Sequence, residues 1–507
     1  MKKFSKKNGE NILRKSINRK GLVFLIALFM VFSSALLMLP IRAAPKPKPS
    51  QGVDLTITML GDQQIPGVTN VTDDFLASAW GNGVDSVTVE SSGADATAQL
   101  TTLQTLLQGG TATADVIAID VVWTAPFADN GWIINLDPYL QSNEFDVYGS
   151  GIVAACEYQG HYYAYPYFMN LGVLYYRTDL LDEYYGVGMW DETKFDTWEH
   201  LNETANYILN DPSTATNYPD LVGYMGQLDA YEGGVVNFFE WCGSNGALDV
   251  VTSTGQVNID TTPVHQAMDF IKALVPPQYT GVQGTDYIIP RYGLVSDEAS
   301  SGNLWLANNT IFLRQWPYIY SLSETNKIEF GLAPLPHFAG ATGYKTSAVG
   351  GAILAIPTAT TGAARQAAIN LTKYLGMKDA QESELTADID PGPTYTPQGN
   401  FPALLSVFNN PPTGFEYIQN WSAQAALTLS RPVHPDYPLI SNTIADYFSD
   451  LLSCQKSVDT ALAEMDRDVT EIIHGVTPPI PGFSIAIVIL SVAFTVGIIT
   501  LARKKTK

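Results

Sequence analysis

Apolar residues recur along the chain at two spacings, and stretches of the two alternate. Val53, Leu55, Ile57 and Met59 fall on every second position, as in a strand with one buried face, and Gly61-Asp62-Gln63-Gln64 follows at its carboxyl end. Leu100, Leu103, Leu106 and Leu107 then keep helical spacing, from a cap at Asp95 to a stop at Gly109-Gly110. Asp115-Val-Ile-Ala-Ile-Asp120 is a short apolar run without alternation, which predicts a parallel strand covered on both faces. Asp120 and Trp123 sit just past its carboxyl end, the edge at which open α/β sheets bind ligands. Asp196-Thr-Trp-Glu199 has the form of a capping box ahead of Trp198, Leu201, Ala205 and Ile208, and Thr262-Pro263 opens another helix with Val264, Met268, Ile271 and Leu274. Strands return at 330–336 and 348–356, followed by a helix at 362–376. A last helix runs from Ser457 through Val458, Leu462, Met465, Val469 and Ile472 to Gly475. Strands alternating with helices across residues 53–475 predict an α/β architecture, folded as two lobes.

The two ends follow a different pattern. Residues 2–20 are strongly basic, residues 21–39 are continuously apolar, and small residues stand at 43 and 44. This order describes a secretory signal, although Arg42 interrupts a clean cleavage site and the run is long enough to span a bilayer uncut. Residues 1–44 are therefore expected to be a signal peptide or N-terminal anchor, and 45–52 a stiff Pro/Lys spacer. A Pro-rich linker at 476–483 precedes residues 484–501, which carry no charge, and a basic tail at 502–507. That combination predicts a transmembrane segment with its tail in the cytoplasm and everything between the two ends outside the cell. Five Asn-x-Ser/Thr sequons, at Asn70, Asn202, Asn308, Asn370 and Asn420, agree with that side.

Charge narrows the function. Residues 50–482 hold 13 Lys plus Arg against 49 Asp plus Glu, a net of −36, which repels nucleic acid and anionic lipid head groups. Cys156, Cys242 and Cys454 form no CxxC pair and have no His at ligand spacing. Neither zinc nor a disulfide framework is expected, though one bridge beside one free thiol stays open. Asp388 and Asp390 before Gly392 lack the glutamate that closes a calcium loop, so no metal or cofactor is expected.

Three stretches mix aromatic rings with polar groups. In the first, from His161 to Arg177, Tyr162, Tyr163, Tyr165, Tyr167 and Phe168 suit an extended chain. Pro166 withholds a ladder donor, so the chain is expected to change direction there, on its way through Asn170 and Gly172 into Val173-Leu-Tyr-Tyr176. Those tyrosines are either half-buried sheet residues or the floor of a polyhydroxyl ligand site. In the second, Tyr231 and Glu232 open a helix that continues through Val236 and Phe239. Glu232 either complements the helix N-terminus or accepts hydroxyls from a cleft. In the third, Trp316 and Tyr318 flank Pro317, which holds the rings in a fixed relation. A flat ring covers the C–H face of a sugar while carboxylates, amides and arginine answer its hydroxyls. Trp316 is thus a stacking platform or a core tryptophan.

Catalytic signatures are missing: there is no Walker loop, GxGxxG, GxSxG or HExxH. Glu232 and Glu240 beside Trp241 would suit a glycosidase only if two carboxylates faced each other about 5–9.5 Å apart, and nothing in the sequence pairs them.

Taken together, several segments resemble the extracellular solute-binding proteins of ABC sugar importers, in particular the archaeal trehalose/maltose-binding proteins. They are Asp115-Val-Ile-Ala-Ile-Asp120 with Trp123 and Gly131-Trp132; Tyr163-Ala-Tyr-Pro166 with Leu174-Tyr-Tyr-Arg177 and Asp179; Tyr231-Glu-Gly233 with Asn237; Arg314-Gln-Trp-Pro-Tyr318; Ala333-Pro-Leu-Pro-His-Phe338; Gly350-Gly351; and Arg431-Pro432 with Tyr437-Pro438. The resemblance implies a two-lobed periplasmic-binding-protein-like fold of type II, with discontinuous lobes joined by a hinge. The first lobe would take residues 53–168 and 330–385, the second 169–329 and 386–475. It also implies a cleft lined by Asp120, Asn170, Tyr231, Glu232, Trp316, Tyr318, Gly350 and Gly351, to which position adds Asp62, Trp123 and Tyr167. The implied partners are a di- or oligosaccharide and permease subunits served by a cytoplasmic ATPase. Two departures stand out: Ala352 follows the Gly-Gly pair where those relatives carry an aromatic ring, and the lip at 388–394 lacks their arginine. A membrane-anchored glycan receptor or adhesin with no transporter is the alternative.

Overall fold

The computed structural model describes residues 52–60, 65–93, 96–110, 114–252, 255–277, 287–387, 400–425 and 427–475. Its strands, in chain order, are β1 (Val53–Leu60), β2 (Val84–Gly93), β3 (Val116–Asp120), β4 (Glu157–Tyr158), β5 (His161–Tyr162), β6 (Tyr165–Leu171), β7 (Val173–Arg177), β8 (Val222–Met225), β9 (Thr310–Gln315), β10 (Phe330–Ala333), β11 (Ser347–Ala355) and β12 (Thr428–Leu429).

Two sheets organise the chain. The first has the order β12-β11-β3-β1-β2, with β6 also paired to β11; the second has the order β10-β7-β9-β8. In the first, β1 runs parallel to β2 and β3, while β11 lies antiparallel to both β3 and β6. The unbroken apolar run of β3 follows from its place between β1 and β11, with Val116, Ile117, Ala118 and Ile119 all buried. Helices Ile65–Ala77, Ala96–Gln108 and Gly362–Leu375 belong to this half. Helices Trp198–Leu209, Glu232–Ser244 and Thr262–Ala273 belong to the second core, joined by the C-terminal helices Tyr437–Leu452 and Val458–Ile473. Alternation in β7 places its residues in both cores, Tyr175 in the first, Leu174 and Tyr176 in the second.

The chain crosses between the sheets at Gly172, the single residue separating β6 from β7. The change of direction expected at Pro166 therefore falls six residues later. Pro166 stays within β6, and the missing donor is accommodated by a register shift, Ala352 opposing Phe168 and Ile353 opposing Pro166. The expected return at residue 330 also moves, because β10 pairs with β7 in the second sheet and β11 is the first strand back. Residues 401–421 contribute Phe401, Ala403, Leu404, Val407, Phe408 and Trp421 to the first core, where 386–475 were expected in the second; after them the second core resumes at Leu429 of β12. At the helix expected to open on Asp196, the cap is Thr197, whose hydroxyl accepts from His200 N.

All three cysteines are unpaired, Cys156 and Cys242 buried and Cys454 exposed. Among the described residues no helix is long and apolar enough to cross a membrane, and no cluster of three or more metal-binding side chains occurs. The apolar runs at 21–39 and 484–501, the Pro/Lys spacer, Asp62, the cap at Asp95 and the lip at 388–394 lie outside the described residues.

Candidate functional site

The middle of β11 is where side chains from both sheets meet. Gly350 pairs with Asn170 of β6, and Gly351 with Met169. A methyl group added to Gly350 would stand 2.8 Å from Cη2 of Trp316, so the indole from the second half reaches the first sheet only because this position has no side chain. Gly351 has φ +117°, a backbone closed to other residues without strain. Asn170 is half-buried and fixed by its own amide: Oδ1 accepts from Phe401 N at 3.2 Å and Nδ2 donates to Asn400 Oδ1 at 3.3 Å.

One residue before Gly350 in β11, Val349 O accepts from Arg431 Nη2 at 3.2 Å. The same nitrogen lies 3.2 Å from Asp120 Oδ1, at the carboxyl end of β3, and Arg431 Nη1 donates to Glu232 Oε1. Asp120 and Glu232 thus come together through the guanidinium of Arg431, which the sequence had marked only as part of a resembling segment and not as a site residue. Both oxygens of Glu232 are engaged by the one segment 431–441: Oε1 also accepts from Tyr437 at 2.6 Å and Oε2 from Ser441 at 2.5 Å. With its oxygens so engaged, it holds Arg431 and the helix Tyr437–Leu452 in place, and little acceptor capacity is left for a ligand. Burial raises the Glu232 pKa, an effect Arg431 opposes; for Arg431, burial is outweighed by Asp120, Tyr437 and Glu232, and its pKa rises. Arg431 Nε is buried and finds no hydrogen-bond partner among the described residues. The signal that could have found it was the Arg-Pro step itself, an arginine in a chain with few.

Trp316 sits half-buried just past β9, with Arg314 Cζ 4.0 Å over its ring. Arg314 in turn is wholly buried in a bidentate pair with Glu240, Nε to Oε2 at 2.7 Å and Nη2 to Oε1 at 2.6 Å. Glu240 Oε1 also accepts from Ala348 N of β11 at 3.1 Å, and Nη1 of Arg314 donates to Gln227 Oε1 at 2.8 Å. The guanidinium lies against the crossing, where a methyl on Gly172 would come within 2.4 Å of Nη2. Tyr231 and Tyr318 stand beside Trp316: Tyr231 donates to Glu298 Oε2 at 2.6 Å, Tyr318 to Glu298 O at 2.9 Å, and Trp316 Nε1 to Glu298 Oε1 at 3.4 Å. Glu298 was not among the expected site residues.

Asp120, Asn170, Glu232, Trp316, Gly350 and Gly351 are thus gathered around the centre of β11, with Tyr231 and Tyr318 next to them. Trp123 and Tyr167 are not. Trp123 is 2% exposed and stacked on Phe127, and Tyr167 is 1% exposed within the first core. Both lie in the core, where their large rings fill the interior of the first half, away from the residues expected beside them. Asp62 lies outside the described residues.

Comparison with known proteins shows the family and the fold. The bacterial extracellular solute-binding protein family matches residues 71–398, and the chain belongs to that family. A "probable ABC transporter-binding protein" of Deinococcus radiodurans is 30% identical over 323 residues, 63% of this chain and 71% of that one. The fold is shared with maltose-bound MalE3 of T. maritima (TM-score 0.70, 24% identity, 83% of this chain and 100% of that chain). It is also shared with the GacH receptor of Streptomyces glaucescens (TM-score 0.64, 17% identity, 84% and 99%). These are two-lobed sugar-binding proteins, and each half of the present chain supplies one sheet to that plan.

Proposed function

We propose that the protein is the sugar-binding component of an ABC importer, capturing a di- or oligosaccharide between its two halves and presenting it to a membrane permease. The observation that carries this reading is the meeting, at Val349, Gly350 and Gly351, of a half-buried indole from the second half with an amide, a carboxylate and a guanidinium. Trp316 supplies the stacking face, Asn170 can donate and accept and Asp120 accept at the hydroxyl rim, and the Arg431 guanidinium is the donor beside them. Solved relatives of the same fold hold maltose, acarbose and ribitol. Passage from open to closed would turn about the crossings, of which Gly172 is the shortest.

A hydrolytic role fits poorly. Asp120 and Glu232 are bridged by one guanidinium and Glu240 is paired with another, so these three carboxylates are not poised as acid and nucleophile. The apolar runs at 21–39 and 484–501 would tether the protein to the outer face of the cell membrane. Calorimetric titration with maltose, maltotriose, ribitol, amino acids and peptides tests the proposal: saturable heats with sugars alone support it. Binding confined to peptides or amino acids, or steady release of new reducing ends from oligosaccharides, defeats it.

A further inference from the structure

Glu298 is the point on which the aromatic side of the site converges. It is the first residue of the helix Glu298–Leu306, and its two carboxylate oxygens accept from different rings, Oε2 from Tyr231 at 2.6 Å and Oε1 from Trp316 Nε1 at 3.4 Å. Its carbonyl oxygen accepts from Tyr318 at 2.9 Å and from Gln315 Nε2 at 3.0 Å. Trp316 is thereby held on several sides. Arg314 lies over the ring, Gly350 meets the benzo end and Glu298 takes the indole N–H. Tyr231 is also the N-cap residue of the helix that begins with Glu232, so the Glu298 carboxylate connects the stacking ring to the end of the element that holds Arg431.

The helix that carries Glu298 does not depend on its side chain. Asp297 caps it, Oδ1 accepting from Ser300 N at 2.7 Å while Ser300 Oγ accepts from Asp297 N at 2.9 Å. The capping hydrogen bonds of this helix are thus supplied by Asp297, and both oxygens of the Glu298 carboxylate are spent on half-buried rings.

We propose that Glu298 is a positioning residue for ligand binding, its carboxylate fixing Trp316 and Tyr231 in the orientation in which they receive the ligand. The inference rests on the sugar-binding reading for its consequence, though the restraint on Trp316 exists without ligand. A ring already held gives up less freedom on binding, so its release weakens affinity without any contact to the ligand being removed. The backbone carbonyl survives substitution, so Tyr318 should stay in place in every Glu298 variant.

The test compares Glu298→Gln, Glu298→Ala and Asp297→Ala in the purified protein with two readouts: affinity for maltotriose by calorimetry, and hydrogen exchange of the Trp316 indole N–H by NMR without ligand, assigned with Trp316→Phe. Glu298→Ala should speed indole exchange at least about tenfold and weaken maltotriose binding by about tenfold or more. Glu298→Gln, which keeps one acceptor, should fall between it and the wild type. Asp297→Ala should lower the melting temperature while leaving both readouts near wild type. Unchanged exchange and affinity in Glu298→Ala overturn the inference, as does an equal loss in Asp297→Ala, which would trace the effect to the helix end. A wild type that ignores maltotriose and every other sugar, yet loses indole protection in Glu298→Ala, counts against the proposed function and leaves the positioning role standing.

Discussion

The buried pair Arg314–Glu240 offers a perturbation whose cost can be worked from the structure. Side-chain exposures are 1% for Arg314 and 3% for Glu240, so neither charge has water to fall back on. Converting Glu240 to Met removes both acceptors of the guanidinium, leaves it with Gln227 alone, and strips Ala348 N of its partner. Breaking one side of such a pair costs about 3–5 kcal/mol, because the remaining charge is buried unpaired. Arg314→Met should cost a similar amount, now at Glu240. Replacing both by Met removes both charges and keeps the volume, so the double variant should lie within about 2 kcal/mol of the wild type, far from the sum of the singles. Chemical denaturation of the four proteins gives the coupling directly. Affinity should not recover in parallel: Arg314 also lies 4.0 Å over Trp316, so every variant lacking it should bind sugar more weakly. Additive costs, or singles that lose less than about 1 kcal/mol, would refute the claim that this pair is a closed, desolvated unit.

Two other predictions concern single residues. Gly350→Ala places a methyl 2.8 Å from Trp316 Cη2, and should weaken sugar binding about tenfold or more while costing about 1–3 kcal/mol of stability, measured by calorimetry and denaturation; unchanged affinity would mean that the indole is not seated there. For Asp297, burial works against the carboxylate, but hydrogen bonds from Ser300 outweigh it and hold the pKa below the ordinary 3.8. A depressed carboxylate stabilises the fold above that ordinary value and loses its effect as pH falls through the lower folded value. Asp297→Ala should therefore cost about 0.5–2 kcal/mol at pH 7, and the gap from wild type should close as the pH drops below about 4. A gap of constant size would put the cost elsewhere than in the charged cap.

The elements were largely legible because strand alternation, the buried run of β3 and the helical spacings are local signals. What the sequence hid was assignment to one half or the other. Both β10 and residues 401–421 read as plausible neighbours of the elements around them, and only pairing with β7 and packing on the first core decides. Pro166 looked like a break, but the sheet absorbed it with a register shift and left the crossing to Gly172.

The site divided along the same line. Rings beside polar residues marked Trp316, Tyr318 and Tyr231 from short range, whereas Trp123 and Tyr167 share that appearance and are core. Arg431 stood out only as part of a resembling segment, and Glu298 not at all, because their roles are made by partners far along the chain. Glu232 and Asp120 are 199 and 311 positions from Arg431, and Tyr231 is 67 from Glu298. An acid at the start of a helix has an adequate local explanation, and nothing nearby suggests a second one.

The most direct measurement is maltotriose titration of wild type and Trp316→Ala in parallel with their melting curves. Loss of about 2 kcal/mol or more of binding free energy, roughly thirtyfold in affinity, with the melting temperature nearly unchanged, is the predicted result. A Trp316→Ala protein that melts far earlier yet binds sugar as tightly as wild type would contradict it, since the indole would then support the fold and not the ligand.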